Sequence, residues 1–256
     1  MPQKPEKTRR VAFMLDLEWP YKRHTGIFAG TQRYAQEHGW ESTIDEYVAE
    51  NLPARRTKSM PYDGVIARAT SKLAERTAKL GLPVVNVWIS SPVWEQLPGV
   101  FPDYASVARL RAEHLLSRGL RRFAVLKREG RGSGVEAAAF QTAVSETGFP
   151  CDTVKLSLHP RRTYASWRKH QQRIDSFMSK WRLPIGVFTS TEEAGRMIAQ
   201  ACRQRGWRVP HDVAIIAGMN EESLCEYPRP SLTSVELGFE RVGYEAARML
   251  DRLMDG

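Results

Sequence analysis

The stretch Leu183–Glu222, LPIGVFTSTEEAGRMIAQACRQRGWRVPHDVAIIAGMNEE, reads as strand, helix, strand. Ile185 to Thr189 is a short apolar run bounded by Pro184 and by Ser190-Thr191. Ala194, Met197, Ile198, Ala201 and Cys202 then fall on one stripe of an amphipathic helix. Ser190 and Glu193 fit a capping box, in which hydroxyl and carboxylate satisfy amides at the helix start, and Gly206 stands where a left-handed residue would end the helix. Val213 to Ala217 is the near-continuous apolar run expected of a parallel strand covered on both faces. It ends in Gly218-Met219-Asn220-Glu221-Glu222, polar groups at the carboxyl end of a strand, where open parallel sheets bind ligands.

Outward from that stretch, strand and helix alternate. On the amino-terminal side Val11–Leu17 is an apolar strand, followed by a loop Glu18–Thr25 with Trp19 and Tyr21, and a helix striped by Ile27, Thr31, Tyr34, Ala35 and His38 and stopped at Gly39. Strands are expected at Trp40–Val48, Val65–Ala67 and Val84–Ile89, with Asn51–Met60 a short helix or loop and a helix striped by Leu73, Thr77 and Leu80. A helix over Tyr104–Arg118 follows Asp103. The pattern then restarts with strand Phe123–Leu126, loop Glu129–Gly134, helix Val135–Thr147, strand Cys151–Leu158 and a long polar helix Tyr164–Trp181. An extended segment Ser231–Leu237 and a helix striped by Val242, Ala246, Met249, Leu250 and Leu253 close the chain. This spacing predicts an α/β protein with doubly wound, mainly parallel sheets flanked by helices.

At 256 residues the chain can bury one large core or two smaller ones. No apolar run approaches the roughly 20 residues of a membrane span, and MPQKPEKTRR is not a signal-peptide core, so a cytoplasmic protein away from membranes is expected. Cys151, Cys202 and Cys225 make neither a disulfide framework nor a zinc motif, and Cys202 lies on the apolar stripe as a packing residue. The net charge of +9 comes from scattered basic pairs with acidic residues between them, which fits a solvated surface better than a nucleic-acid footprint. The segment before Val11 is too short for a helix-turn-helix.

Enzyme templates fit poorly. Gly130, Gly132 and Gly134 follow a strand, but the third comes one residue early for a dinucleotide loop, and His159-Pro160 stand where its acidic residue belongs. No phosphate-cradling loop or nucleophile elbow is present. The six histidines have no metal-ligand spacing; His38 and His114 read as packing or surface residues. The expectation is no enzyme, no cofactor and no metal. A sugar site fits better, because hydroxyls need carboxylate acceptors and guanidinium donors and the ring face needs an aromatic platform. Strand ends supply these types: Asp16, Trp19 and Tyr21; Trp88; Asp103; Arg131 and Glu136; Asn220 and Glu221. Each has a plainer alternative. Trp19, Tyr21 or Trp88 can pack beneath loops, and Asp103 can serve only as a helix N-cap.

The segment VFTSTEEAGRMIAQACRQRGWRVPHDVAIIAGMNEE, with RPSLTSVELGFERVGYEAARMLDRL after it, resembles the effector-binding domain of LacI/GalR-type regulators, and within them the bacterial xylose operon regulators. The resemblance spans Arg10 to Asp255. It implies the two-lobed fold of periplasmic sugar-binding proteins, with 1–10 a tail, one lobe from 11–118 and 238–256, and the other from 119–237. It implies a sugar effector, D-xylose or similar, bound between the lobes, and a homodimer. DNA would be contacted only through an AraC-type region following this chain, whose natural continuation is expected beyond Gly256. Asp103 stands at an effector-binding aspartate, Asn220 where an aspartate is usual, and Glu136 where many members carry the effector-holding arginine. A non-regulatory sugar-binding protein and a nicotinamide-dependent enzyme are the alternatives.

Overall fold

The computed structural model describes residues 8–18, 22–57, 59–127, 131–155 and 163–256. The chain divides into two compact units, Met1–Pro102 with Gly238–Gly256, and Asp103–Leu237.

The first unit holds a parallel sheet of strands β1 (Arg10–Met14), β2 (Glu41–Ile44), β3 (Gly64–Ala67) and β4 (Val84–Asn86), in the order β2-β1-β3-β4. The chain winds one way from β1 to β2 and the other way to β3, so the switch point lies between β1 and β3. β1 and β3 carry little but buried apolar side chains, as strands covered on both faces must. One face packs Ala12, Val65 and Ala67 against Val48 from α2 (Val48–Asn51), Leu52 just after it, and Leu73 and Leu80 from α3 (Ser71–Leu80). On the other face α9 (Phe239–Asp255) packs along α1 (Lys22–Glu37) and over β3 and β4.

The α1–α9 contact is backbone on backbone. A Cβ on Gly30 would overlap the Glu240 carbonyl oxygen, and one on Gly243 the Ile27 carbonyl oxygen. Tyr34 of α1 donates its hydroxyl to Asp251 Oδ2 of α9 at 2.7 Å, and Arg9 pairs with the other oxygen of the same carboxylate.

In the second unit five parallel strands run in the order β6-β5-β7-β8-β9: β5 (Phe123–Lys127), β6 (Cys151–Lys155), β7 (Ile185–Thr189), β8 (Val213–Ala217) and β9 (Thr233–Ser234). Alternate residues serve opposite faces. Phe123 and Val125 pack with α4 (Tyr104–Ser117) and α5 (Arg131–Ser145) through Ala112, Leu115, Ala137 and Phe140. Ala124 and Leu126 pack with α6 (Tyr164–Met178) and α7 (Glu192–Gln204) through Ile174, Met178, Ile198 and Cys202. The switch point here lies between β5 and β7. The five-residue helix α8 (Glu222–Glu226) follows β8.

Both strands of the opening stretch fall where the sequence places them, and α7 ends as expected. Gly206 has φ 71°, its amide donates to Arg203 O and the Trp207 amide to Cys202 O, two bonds that satisfy carbonyls of the last turn. The cap sits one residue later than expected. Thr191 rather than Ser190 accepts the Ala194 amide, because the Ser190 hydroxyl is engaged with Ser133 at 2.7 Å. α1 begins at Lys22, inside the expected loop, since buried His24 anchors the first turn to the Asp16 carbonyl. α5 begins at Arg131, four residues early, the small residues Gly132, Ser133 and Gly134 fitting its first turn. β2, β4 and β9 are shorter than the expected extended runs. Helix α4, expected with the first unit, packs on α5, so the chain passes into the second unit before Asp103 rather than after Arg118.

Two glycines give opposite expectations. Gly243→Ala forces carbonyl and Cβ apart in a helix crossing that cannot open cheaply, and should lower stability by about 1–3 kcal/mol. Gly134→Ala, on a helical position with open space around it, should raise stability by about 0.5–1 kcal/mol. Urea midpoints at unchanged m-value check both.

Candidate functional site at the carboxyl ends of the sheets

In the first unit the carboxyl ends of β1, β3 and β4 surround a hollow of about 300 Å³, walled by Leu15, Asp16, Glu46, Arg68, Thr70 and Trp88. The Arg68 guanidinium carbon lies 4.7 Å above the centre of the Trp88 ring. Burial lowers the Arg68 pKa from its ordinary value, and the Asp16 charge works against that shift. The indole is therefore a platform with a donor fork on it and a carboxylate nearby. Its position is set from below by Asn86, fully buried at the end of β4. The Asn86 Oδ1 accepts the amides of Ala69 at 3.2 Å and Trp88 at 3.0 Å, and its Nδ2 donates to the Trp88 carbonyl at 3.1 Å. One side chain thus ties the turn after β3 to the turn after β4.

In the second unit the carboxyl ends of β7 and β8 meet a charge cluster. Arg111 of α4 is buried; it pairs with Glu136 Oε1 of α5 at 2.8 Å, donates to the Gly218 carbonyl, and lies 4.7 Å over the Phe188 ring. Glu192, buried at the first residue of α7, accepts the Met219 amide at 2.5 Å and the Glu221 amide at 3.2 Å through one oxygen, Oε1. Asn220 has φ 63°, the left-handed region that asparagine tolerates better than most residues. Its Oδ1 accepts from the Ser234 hydroxyl at 3.0 Å and its Nδ2 donates to Glu236 at 3.2 Å.

The residues singled out in the sequence are thus placed unequally. Asp16 and Trp88 share one hollow. Asn220 and Glu221 lie together after β8. Asp103 is exposed and caps α4, its Oδ1 accepting the Ser106 amide at 3.0 Å and its Oδ2 the Ser106 hydroxyl at 2.6 Å; those two bonds hold its pKa below the usual carboxylate value. Arg131 is exposed at the start of α5. Glu136, expected to flank an effector, is instead buried against Arg111, which takes up its carboxylate. Trp19 and Tyr21 lie outside the described residues. Sequence reading missed Arg68, Asn86, Arg111 and Glu192. Among the described residues no group of His, Cys, Asp and Glu is arranged to hold a metal, and no helix is long and apolar enough to cross a membrane.

Residues 112–256 match the model of the periplasmic binding protein-like domain, and the chain belongs to that family. The xylose operon regulatory protein of Escherichia coli strain K12 is 27% identical over 260 residues, spanning 97% of this chain. This chain spans 64% of that relative, under two thirds of its length. A solved xylose-binding transcription activator superposes with a TM-score of 0.77 at 23% identity, over 97% of this chain and 64% of the other. A cellobiose complex of the transcriptional regulator CelR gives 0.73 at 21%, over 96% and 78%. These structures share the fold, and the two doubly wound units are the sequence expectation borne out.

Replacing Asn86 with alanine removes the acceptor for two amides under Trp88. A buried polar group left without a partner costs about 1–3 kcal/mol, so Asn86→Ala should lower the urea midpoint and change the fluorescence of Trp88. An unaltered midpoint would show that the two turns are held by other contacts.

Proposed function

We propose that this chain is the effector-sensing part of a transcriptional regulator that responds to a small sugar, xylose or a related one. The observation that carries this reading is the hollow at the end of the first sheet, where Asp16, Arg68 and Trp88 offer an acceptor, a donor fork and an apolar ring face. Those three types match what a sugar presents: hydroxyl donors, hydroxyl acceptors and a patch of C–H groups. In the second unit the reading keeps Asn220 and Glu221 after β8, and Asp103 and Arg131 at the starts of α4 and α5, as candidate effector ligands. The regulator and sugar named for the relatives support the class.

Effector control follows from differential binding. A ligand that holds one arrangement of the chain more tightly than another shifts the balance between them by that difference and by nothing else. The reading assigns DNA contact to a region outside residues 1–256, with a homodimer in the cytoplasm. It is supported by the greater length of the curated relatives and by the helices of this chain, whose apolar stripes are used in packing against the sheets.

A thermal-shift screen with D-xylose, D-ribose, D-xylulose and cellobiose tests the reading. A bound sugar at 100 times its dissociation constant adds about 2.7 kcal/mol to stability, a clear rise in melting temperature. A shift with a nicotinamide dinucleotide and with no sugar would replace this reading by an enzymatic one. Calorimetric titration of the sugar that shifts the melt should show Asp16→Ala and Trp88→Ala each weakening binding by about 1–3 kcal/mol, with His114→Ala unchanged.

A further inference from the structure

The turn after β8 is held by charges of opposite sign at its two kinds of backbone group. The guanidinium of Arg111 takes the Gly218 carbonyl. The carboxylate of Glu192 takes the amides of Met219 and Glu221. Both side chains are buried, Arg111 completely, and come from different helices, α4 and α7. Asn220, between the two amides, is the only non-glycine residue among those described with positive φ. A left-handed asparagine is a cost that surrounding bonds must offset.

Space supports the same assignment. A Cβ on Gly218 would overlap the Glu192 carboxylate. Glycine at 218, with φ 33°, is what lets the carboxylate come this close. Glu136 completes the cluster by neutralising Arg111, so that the guanidinium carries a partner of its own as well as the turn.

We propose that Glu192 and Arg111 are positioning residues: a two-charge clamp that fixes the backbone of Gly218–Glu221 and thereby presents Asn220 and Glu221 in one conformation. Neither residue is assigned a contact with effector. Its consequence for affinity rests on the proposed function, whereas its consequence for the turn does not, and the experiment separates the two.

Amide hydrogen exchange measured by NMR on the whole chain reads the clamp directly. Three forms are compared: the unaltered protein, Glu192→Ala and Glu192→Gln. Loss of a charge-assisted acceptor should speed exchange at Met219 and Glu221 by about tenfold or more in Glu192→Ala, while Val125 and Val187 in the neighbouring strands stay protected. Glutamine keeps an oxygen where Oε1 stands, so Glu192→Gln should restore most of the protection. If Met219 and Glu221 exchange as slowly in Glu192→Ala as in the unaltered protein, the clamp does not exist. If the core strands lose protection equally in both variants, Glu192 supports the unit as a whole and the positioning role is overturned. Titration with D-xylose, or with whichever sugar shifts the melt, is the second readout. Affinity should fall about tenfold in Glu192→Ala and recover in Glu192→Gln. Fast exchange in Glu192→Ala with full affinity retained would remove the turn from the effector site while leaving the clamp standing. Absence of binding by any sugar even in the unaltered protein would remove the proposed function and leave the exchange result to decide the clamp.

Discussion

A guanidinium without access to water cannot be left unpaired, and Arg111 is such a group. An ion buried in a protein loses solvation worth several kcal/mol after relaxation, and geometry must return it. Here Glu136 supplies a counter-charge, Gly218 a carbonyl and Phe188 a ring face. Helix α4, helix α5 and the end of β8 are thereby held to one point. Breaking a buried pair from one side generally costs about 3–5 kcal/mol, because the remaining charge is stranded. The cluster therefore limits how far any of the three elements can move independently, and the turn after β8 inherits that rigidity.

The first unit reaches an equivalent end by neutral means. Asn86 uses one amide group to satisfy Ala69 and Trp88, with no charge to desolvate. Arg68 places its guanidinium over the indole, whose ring face attracts a cation, and the Asp16 charge opposes the lowering of its pKa by burial. Both units thus hold turns in place at the carboxyl ends of parallel strands, which is where an open α/β sheet offers backbone and side-chain groups to a ligand. In the resemblance an acid at 136 stood in the place of an effector-holding arginine. The structure gives that acid a partner, Arg111, so the departure is an internal ion pair rather than an unbalanced charge in a site.

The strands and the double winding were legible because an apolar run of parallel-sheet length and a helical stripe are local patterns. Ile185–Thr189 and Val213–Ala217 needed only five residues each to be recognised. Helix starts were less legible. Ser190 and Thr191 are chemically equivalent caps, and only the hydroxyl of Ser133, distant in sequence, removes Ser190 from the choice. Gly132 and Gly134 read as loop residues, yet a first turn tolerates them when the following face, Ala137 and Phe140, is buried. The allocation of α4 was not legible at all. Its stripe of Ala108, Ala112 and Leu115 would suit either sheet, and contact with α5 decides the matter.

The candidate site divides in the same way. Asp16 and Trp88 could be named from their places after strands. Arg68 could not, because its meaning is a ring 20 positions away, and one arginine among scattered basic residues carries no local mark. Arg111 and Glu192 were hidden for the opposite reason: charged residues on helices are read as solvated until burial shows otherwise. We propose recognition of a sugar by groups at the carboxyl ends of parallel strands. Its most direct test is backbone and indole NMR of the chain titrated with D-xylose and the other sugars of the screen. Shifts should concentrate at Asp16, Arg68 and the Trp88 indole, and at Met219 to Glu221. Shifts confined to other surfaces, or none with any sugar, would contradict the account.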